Sequence, residues 1–223
     1  TAQNTVGVIS AHEVPTDLIG LQIEAIMSDI GTDAIKTGML VNSEIISVVA
    51  GKLTNIGSVP IVVDPVMVAK GGDRLLTEDA STTLRDLLLP KAMVLTPNIP
   101  EAEVLTGRQI SDISDSKRAA QDLVNMGAVS VVVKGGHLEG SATDIFYDGN
   151  EFIEFTKERI STSNTHGTGC TFASAIAAVL AKGGQPVEAV GIAKSYVTEA
   201  IRNGLSIGGG HGPLNHFYHM RKD

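Results

Sequence analysis

Residues 60–67 read PIVVDPVM. Three β-branched apolar residues in a row predict a short buried strand, Asp64 falls at its end, and Pro65 lacks the N–H that would continue a ladder. The same arrangement recurs along the chain. AIKTGM (34–39), AMVLTPN (92–98) and SVVVKGGH (130–137) each set a polar or glycine-rich motif directly behind an apolar run. The runs predict strands over 34–37, 60–63, 92–96 and 130–133, and an antiparallel pair around 144–147 and 151–155, with DGN at 148–150 as its turn. Longer amphipathic runs predict helices over 16–30, 43–53, 78–88, 114–126, 170–182 and 186–203. Pro15-Thr16-Asp17 and Ser114-Asp115-Ser116 supply caps for the first and fourth of these. Strands alternating with helices predict one α/β domain, doubly wound, with a central mostly parallel sheet and helices on both faces. Ligands of such folds gather beyond the carboxyl ends of the strands, so the motifs are expected on one rim.

Composition narrows the function. The 223 residues carry a formal net charge of −8, which argues against general nucleic-acid binding. Any anionic ligand must then be held by local groups. No apolar run reaches the roughly 18 residues of a membrane span, and the single cysteine excludes an internal disulfide framework, so a reducing, cytoplasmic setting is expected.

Four motifs carry chemistry. NTHGTGC (164–170) runs into an apolar helix; Gly167, Thr168 and Gly169 there allow close backbone approach, and the helix start offers unpaired N–H groups and a positive dipole end. That makes an anion hole, and a thiol at Cys170 is expected to have a lowered pKa. The same heptapeptide also fits a glycine-rich turn before a buried structural cysteine. Asp64 suits Mg²⁺ or a phosphate neighbourhood and equally suits a plain Asp-Pro turn. In TPNIPE (96–101), Asn98 and Glu101 bring an amide and a carboxylate onto the first turn of a helix, either as oxygen ligands for Mg²⁺ or as a capping box. Lys134 can reach a transferring phosphoryl group or be a solvated strand-end lysine. His211, His216 and His219 match no common zinc spacing.

Taken together, TAQNT, DAIKTGML, VVDPVMVAKGGDRLL, TPNIPEAEVLTG, VVVKGGH, NTHGTGCTFASAIAA and GPLNHF resemble the ribokinase superfamily. The nearest likeness is to the hydroxymethylpyrimidine/phosphomethylpyrimidine kinases of its vitamin-kinase branch, from Thr1 to about Tyr218. The resemblance implies a ribokinase-like fold, ATP and Mg²⁺, and phosphoryl transfer to hydroxymethylpyrimidine and its monophosphate; pyridoxal kinase of the same branch is the alternative. It implies that Gln3 hydrogen-bonds the aminopyrimidine and that Met39 and Val66 contact its ring. Lys134, Asn98 and Thr168 would meet the nucleotide, and Asp64 and Glu101 would organise Mg²⁺. Gly167, Thr168 and Gly169 would hold the developing charge. Cys170 stands where much of the superfamily has an aspartate base, and either accepts the hydroxyl proton or orients the acceptor. Such kinases are commonly homodimers. They also begin with a strand and a glycine-rich segment upstream of TAQNT, so residues 1–223 are expected to lack about forty N-terminal residues of that domain.

Overall fold

Four short apolar runs, each ending in a polar residue, form the parallel heart of the sheet. The computed structural model describes residues 1–67, 76–136 and 140–220. A small antiparallel hairpin, β1 (Ala2–Gln3) and β2 (Val8–Ser10), precedes α1 (Thr16–Asp29). The chain then runs through β3 (Ile35–Thr37), α2 (Ser43–Lys52), β4 (Ile61–Val63), α3 (Glu78–Thr83), β5 (Val94–Leu95), α4 (Ile99–Thr106), α5 (Ile113–Asn125) and β6 (Val131–Val133). It closes with β7 (Ala142–Tyr147), β8 (Phe152–Lys157), α6 (Thr168–Leu180) and α7 (Pro186–Arg202).

The main sheet has the order β3-β4-β5-β6-β7-β8, parallel through β6 and antiparallel for the last two strands. Successive side chains of a strand point to opposite faces. Ile61, Val63, Val131 and Val133 therefore join the core formed with α2, α3 and α5, while Val62, Val94 and Val132 join Phe172, Ile176, Val190 and Val197 of α6 and α7. Helices thus cover both faces. The layers arise differently from the expected double winding: the described strands follow chain order without reversal, and the second layer is the C-terminal pair α6 and α7.

Local chemistry accounts for most boundaries. In the 148–150 turn, Asp148 Oδ1 accepts from the N–H groups of Asn150 and Glu151, both at 2.9 Å, and Gly149 takes the positive φ of 92°. Three expectations change. No side chain caps α1 behind Pro15. The cap of α5 is Asp112, whose side chain accepts from Asp115 N–H, so the helix starts ahead of the expected Ser114. The run over 78–88 is α-helical only to Thr83 and continues as a π turn, Leu84–Leu88, which buries Leu84 and Leu88. Among the described residues no helix is long and apolar enough to cross a membrane.

Gly135, two residues beyond β6, packs tightly against β7. A Cβ there would stand 1.8 Å from the Thr143 carbonyl oxygen. Gly135→Ala is expected to destabilise the fold by at least the roughly 1–3 kcal/mol of an overpacked core, read as a lower Tm in thermal melts.

Candidate functional site

Parallel pairing makes neighbours of residues that end successive strands. Asp64 N–H donates to Thr37 O at 3.2 Å, Thr96 N–H to Val63 O at 3.0 Å, and Lys134 N–H to Pro97 O at 2.8 Å. The polar ends of β3 to β6 therefore share one rim, as the motif spacing predicts.

Asp64 is the buried centre of that rim. Its Oδ1 accepts from Thr96 Oγ1 and from Lys134 Nζ, each at 3.1 Å. Lys36 Nζ lies 3.7 Å from Oδ2, an ion pair too long for a hydrogen bond, and among the described residues Oδ2 and Thr37 Oγ1 are buried without hydrogen-bond partners. Lys134 Nζ is also 4.0 Å from Glu101 Oε2. Glu101 closes a complete capping box on α4: Asn98 Oδ1 accepts from Glu101 N–H at 2.9 Å, and Glu101 Oε2 accepts from Asn98 N–H at 2.7 Å. Burial pushes the Glu101 carboxyl above its usual range, against the pull of Lys134 and the Asn98 N–H. Burial pulls Lys134 down, but Asp64 and Glu101 together outweigh it and hold the ammonium charged.

The glycine turn faces this cation. Gly167, the N-cap of α6, takes a left-handed conformation, φ 83°, and among the described residues no side-chain cap is made there. Thr168, Gly169 and Cys170 are its first three residues, so the helix begins two residues earlier than the expected 170. A Cβ on Gly169 would stand 3.3 Å from Lys134 Nζ. Thr168 Oγ1 donates to Thr165 O at 2.7 Å. Cys170 is exposed, which removes the reading of a buried structural thiol.

Met39 and Val66 are half-buried just beyond β3 and β4. Gln3 is exposed on the β1–β2 hairpin. The glycine-rich C-terminal segment ties that hairpin to the turn before α6. His211 N–H donates to Thr5 O at 2.8 Å, and a Cβ on Gly208 or Gly210 would stand 2.2 or 2.1 Å from Thr5 atoms. On its other side, His166 N–H donates to Gly212 O at 3.0 Å. His211 Nδ1 lies 3.3 Å from Ser163 O, and among the described residues no cluster of three or more His, Cys, Asp or Glu is placed to hold a metal. His137 and residues 68–75 of the VVDPVMVAKGGDRLL motif lie outside the described residues.

The structure thus brings Asp64, Asn98, Glu101, Lys134 and Gly169 together and adds Lys36, Thr37 and Thr96, which the motif reading passed over. Thr96 had a legible signal: a hydroxyl at a strand end, in the position that Asp64 takes on the neighbouring strand. A half-buried cation between two buried carboxylates, set against the first turn of α6, can receive a multiply charged anion.

Residues 1–215 match the model of the family described as phosphomethylpyrimidine kinase. The chain is 48% identical over 223 residues to the hydroxymethylpyrimidine/phosphomethylpyrimidine kinase of Bacillus subtilis, covering 99% of this chain and 82% of that one. It is 51% identical over 217 residues to the thiamine biosynthesis bifunctional protein ThiED of Geobacter sulfurreducens, covering 97% of this chain and 44% of that one. Among solved structures, an ADP complex of Bacillus subtilis pyridoxal kinase is similar with a TM-score of 0.91 at 36% identity, covering 98% of this chain and 83% of that one.

Proposed function

The chain belongs to the phosphomethylpyrimidine kinase family, and from that premise we propose how its rim performs ATP-dependent phosphorylation of hydroxymethylpyrimidine and of its monophosphate in thiamine biosynthesis. The observation that carries the reading is Lys134, a charged ammonium held by Asp64 and Glu101 against the open first turn of α6 at Gly169. Phosphoryl transfer asks the protein mainly for positioning and for fixed positive charge where negative charge develops. Lys134 supplies the charge, and the first turn of α6 at residues 167–169 supplies oriented N–H donors, that of Thr168 leaning on Thr165 O at 3.4 Å. Asn98 offers the nucleotide its amide group, since its oxygen already caps α4.

The donors fit Mg²⁺. Two carboxylates stand on the rim, and Asp64 Oδ2 is a buried oxygen with no hydrogen-bond donor among the described residues. Asp64 and Glu101 would hold the ion together with waters, and when bound it would neutralise charge on the nucleotide phosphates. In the transfer itself the acceptor hydroxyl oxygen attacks the γ-phosphorus, the bond to the bridging oxygen of ADP breaks, and a Cys170 thiolate takes the hydroxyl proton and becomes the thiol. Exposure of Cys170 at the start of α6 makes its sulfur reachable by the acceptor, whether it takes the proton or orients the hydroxyl.

On the acceptor side, Gln3, Met39 and Val66 form the ring subsite, the amide suiting the amine and nitrogen of an aminopyrimidine. Gln3→Ala is expected to raise the acceptor KM about 3- to 10-fold, the worth of one hydrogen bond of roughly 0.5–1.5 kcal/mol, and to leave the KM for ATP unchanged. Unaltered acceptor kinetics would remove Gln3 from the subsite.

The similarity to pyridoxal kinase keeps that acceptor as the second reading. Steady-state assays of the full-length protein with ATP and each acceptor separate the two, and strong pyridoxal turnover without pyrimidine turnover overturns the first. Use of ATP supports a cytoplasmic setting. Exposed Val6, Ile9, Leu21 and Ile30 provide apolar surface for a homodimer, which analytical ultracentrifugation measures.

A further inference from the structure

A buried ion pair stands directly behind the rim lysine. Asp144 on β7 and Lys194 on α7 are both buried, and Lys194 Nζ donates to Asp144 Oδ2 at 2.8 Å. The other oxygen, Oδ1, accepts from Gly135 N–H at 3.0 Å. Apolar residues of similar volume often replace a buried ion pair without loss of stability, so stability alone is a weak account of this one. Its contact with Gly135 is more telling. The N–H of Lys134 is held by Pro97 O beyond β5, and the next N–H is held by Asp144 on β7. Two consecutive peptide groups are fixed from opposite sides, and they flank the Cα that carries the Lys134 side chain. Close packing of Gly135 on the Thr143 carbonyl leaves that backbone no room to drift toward β7. The Asp144 carboxylate also favours the charged form of Lys134, behind the larger effects of burial, which opposes it, and of Asp64 and Glu101.

We propose that Asp144, anchored by Lys194, is a positioning residue for phosphoryl transfer: it fixes the Gly135 amide and so aims the Lys134 ammonium at the transferred group. The inference rests on the reading of Lys134 given under Proposed function.

Paired variants test it without leaving a buried charge unpartnered. Asp144→Asn/Lys194→Met keeps an oxygen for the Gly135 N–H, whereas Asp144→Leu/Lys194→Met removes it. The leucine pair is expected to lower kcat by about 10²-fold, the effect of misplacing a catalytic group by about 1 Å, with the acceptor KM within about twofold. The asparagine pair should recover at least tenfold of that loss. Hydrogen exchange at the Gly135 amide, measured on the same proteins, should be slow in the wild type and the asparagine pair and fast in the leucine pair. Combining the leucine pair with Lys134→Ala should cost no more kcat than Lys134→Ala alone, because residues acting through one group are not additive. Losses that multiply, or an asparagine pair no better than the leucine pair, would make Asp144 a structural residue only and overturn the proposal. If the leucine pair does not fold, Asp144→Ala/Lys194→Met replaces it with the same expectations. An intact kcat in Lys134→Ala overturns the lysine reading and this inference together; loss there with full activity in the leucine pair overturns this inference alone.

Discussion

Replacing Cys170 with serine is expected to lower kcat by about 10²–10⁴-fold, the usual worth of general acid–base catalysis. A serine hydroxyl is nearly isosteric with the thiol but does not ionise near neutral pH, so it cannot take the acceptor proton. Cys170→Asp should recover part of the loss by restoring a base. Neither variant should change the KM for ATP, since Gly167 and Gly169 hold the turn through backbone geometry, beginning with the left-handed Gly167. The exposed thiol should be alkylated readily and be protected by bound acceptor. Serine tolerated within a few-fold would make Cys170 an orienting group. Alkylation indifferent to acceptor would place it outside the subsite.

Lys134→Ala is expected to lower kcat by about 10²–10³-fold, the cost of deleting one preorganised donor to developing charge. Calorimetry of pyrimidine binding should change little, because the ring is neutral and the proposed subsite at Gln3, Met39 and Val66 does not include Lys134. Collapse of acceptor affinity with surviving turnover would overturn the assignment. The fold adds a second effect. Lys134 Nζ stands 3.1 Å from Asp64 Oδ1 and 4.0 Å from Glu101 Oε2, so its removal leaves buried Glu101 without a cation among the described residues and Asp64 with only Lys36 at 3.7 Å. Breaking such a pair costs roughly 3–5 kcal/mol. The deficit should depend on pH. Burial already raises the pKa of Glu101 in the folded state, so its charged form opposes folding; that opposition is full above the raised folded pKa and is relieved as pH falls toward 4.5, the ordinary value. Loss of Lys134 raises Glu101 further and enlarges the effect. The Tm gap between variant and wild type should therefore narrow on acidification, and a gap that widens would contradict the geometry.

Much of this site was legible before folding was considered. Asp64, Asn98, Glu101 and Lys134 each follow an apolar run, and strand-then-motif order places them at strand ends whatever the exact boundaries. The capping box of Asn98 and Glu101 was likewise readable, being a contact between residues three apart. Boundaries were read less well where two candidates competed locally: Asp112 took the α5 cap from Ser114, and α6 began at Thr168 because Gly167 adopts the left-handed turn before it. The Asp144–Lys194 pair was missed, although an aspartate inside the apolar strand TDIFY is itself an oddity that calls for a partner.

The sequence alone determined which residue types stand at which strand ends, since hydrophobic periodicity, proline and glycine act over a few neighbouring residues. Only the tertiary structure decided what those residues meet. Asp64 joins Lys134 across 70 positions and Asp144 joins Lys194 across 50; Gly169 reaches Lys134 only because α6 returns to cover the face of the sheet opposite the earlier helices. Such contacts follow from strand order and from which faces must be buried, and those are settled by packing the whole chain at once.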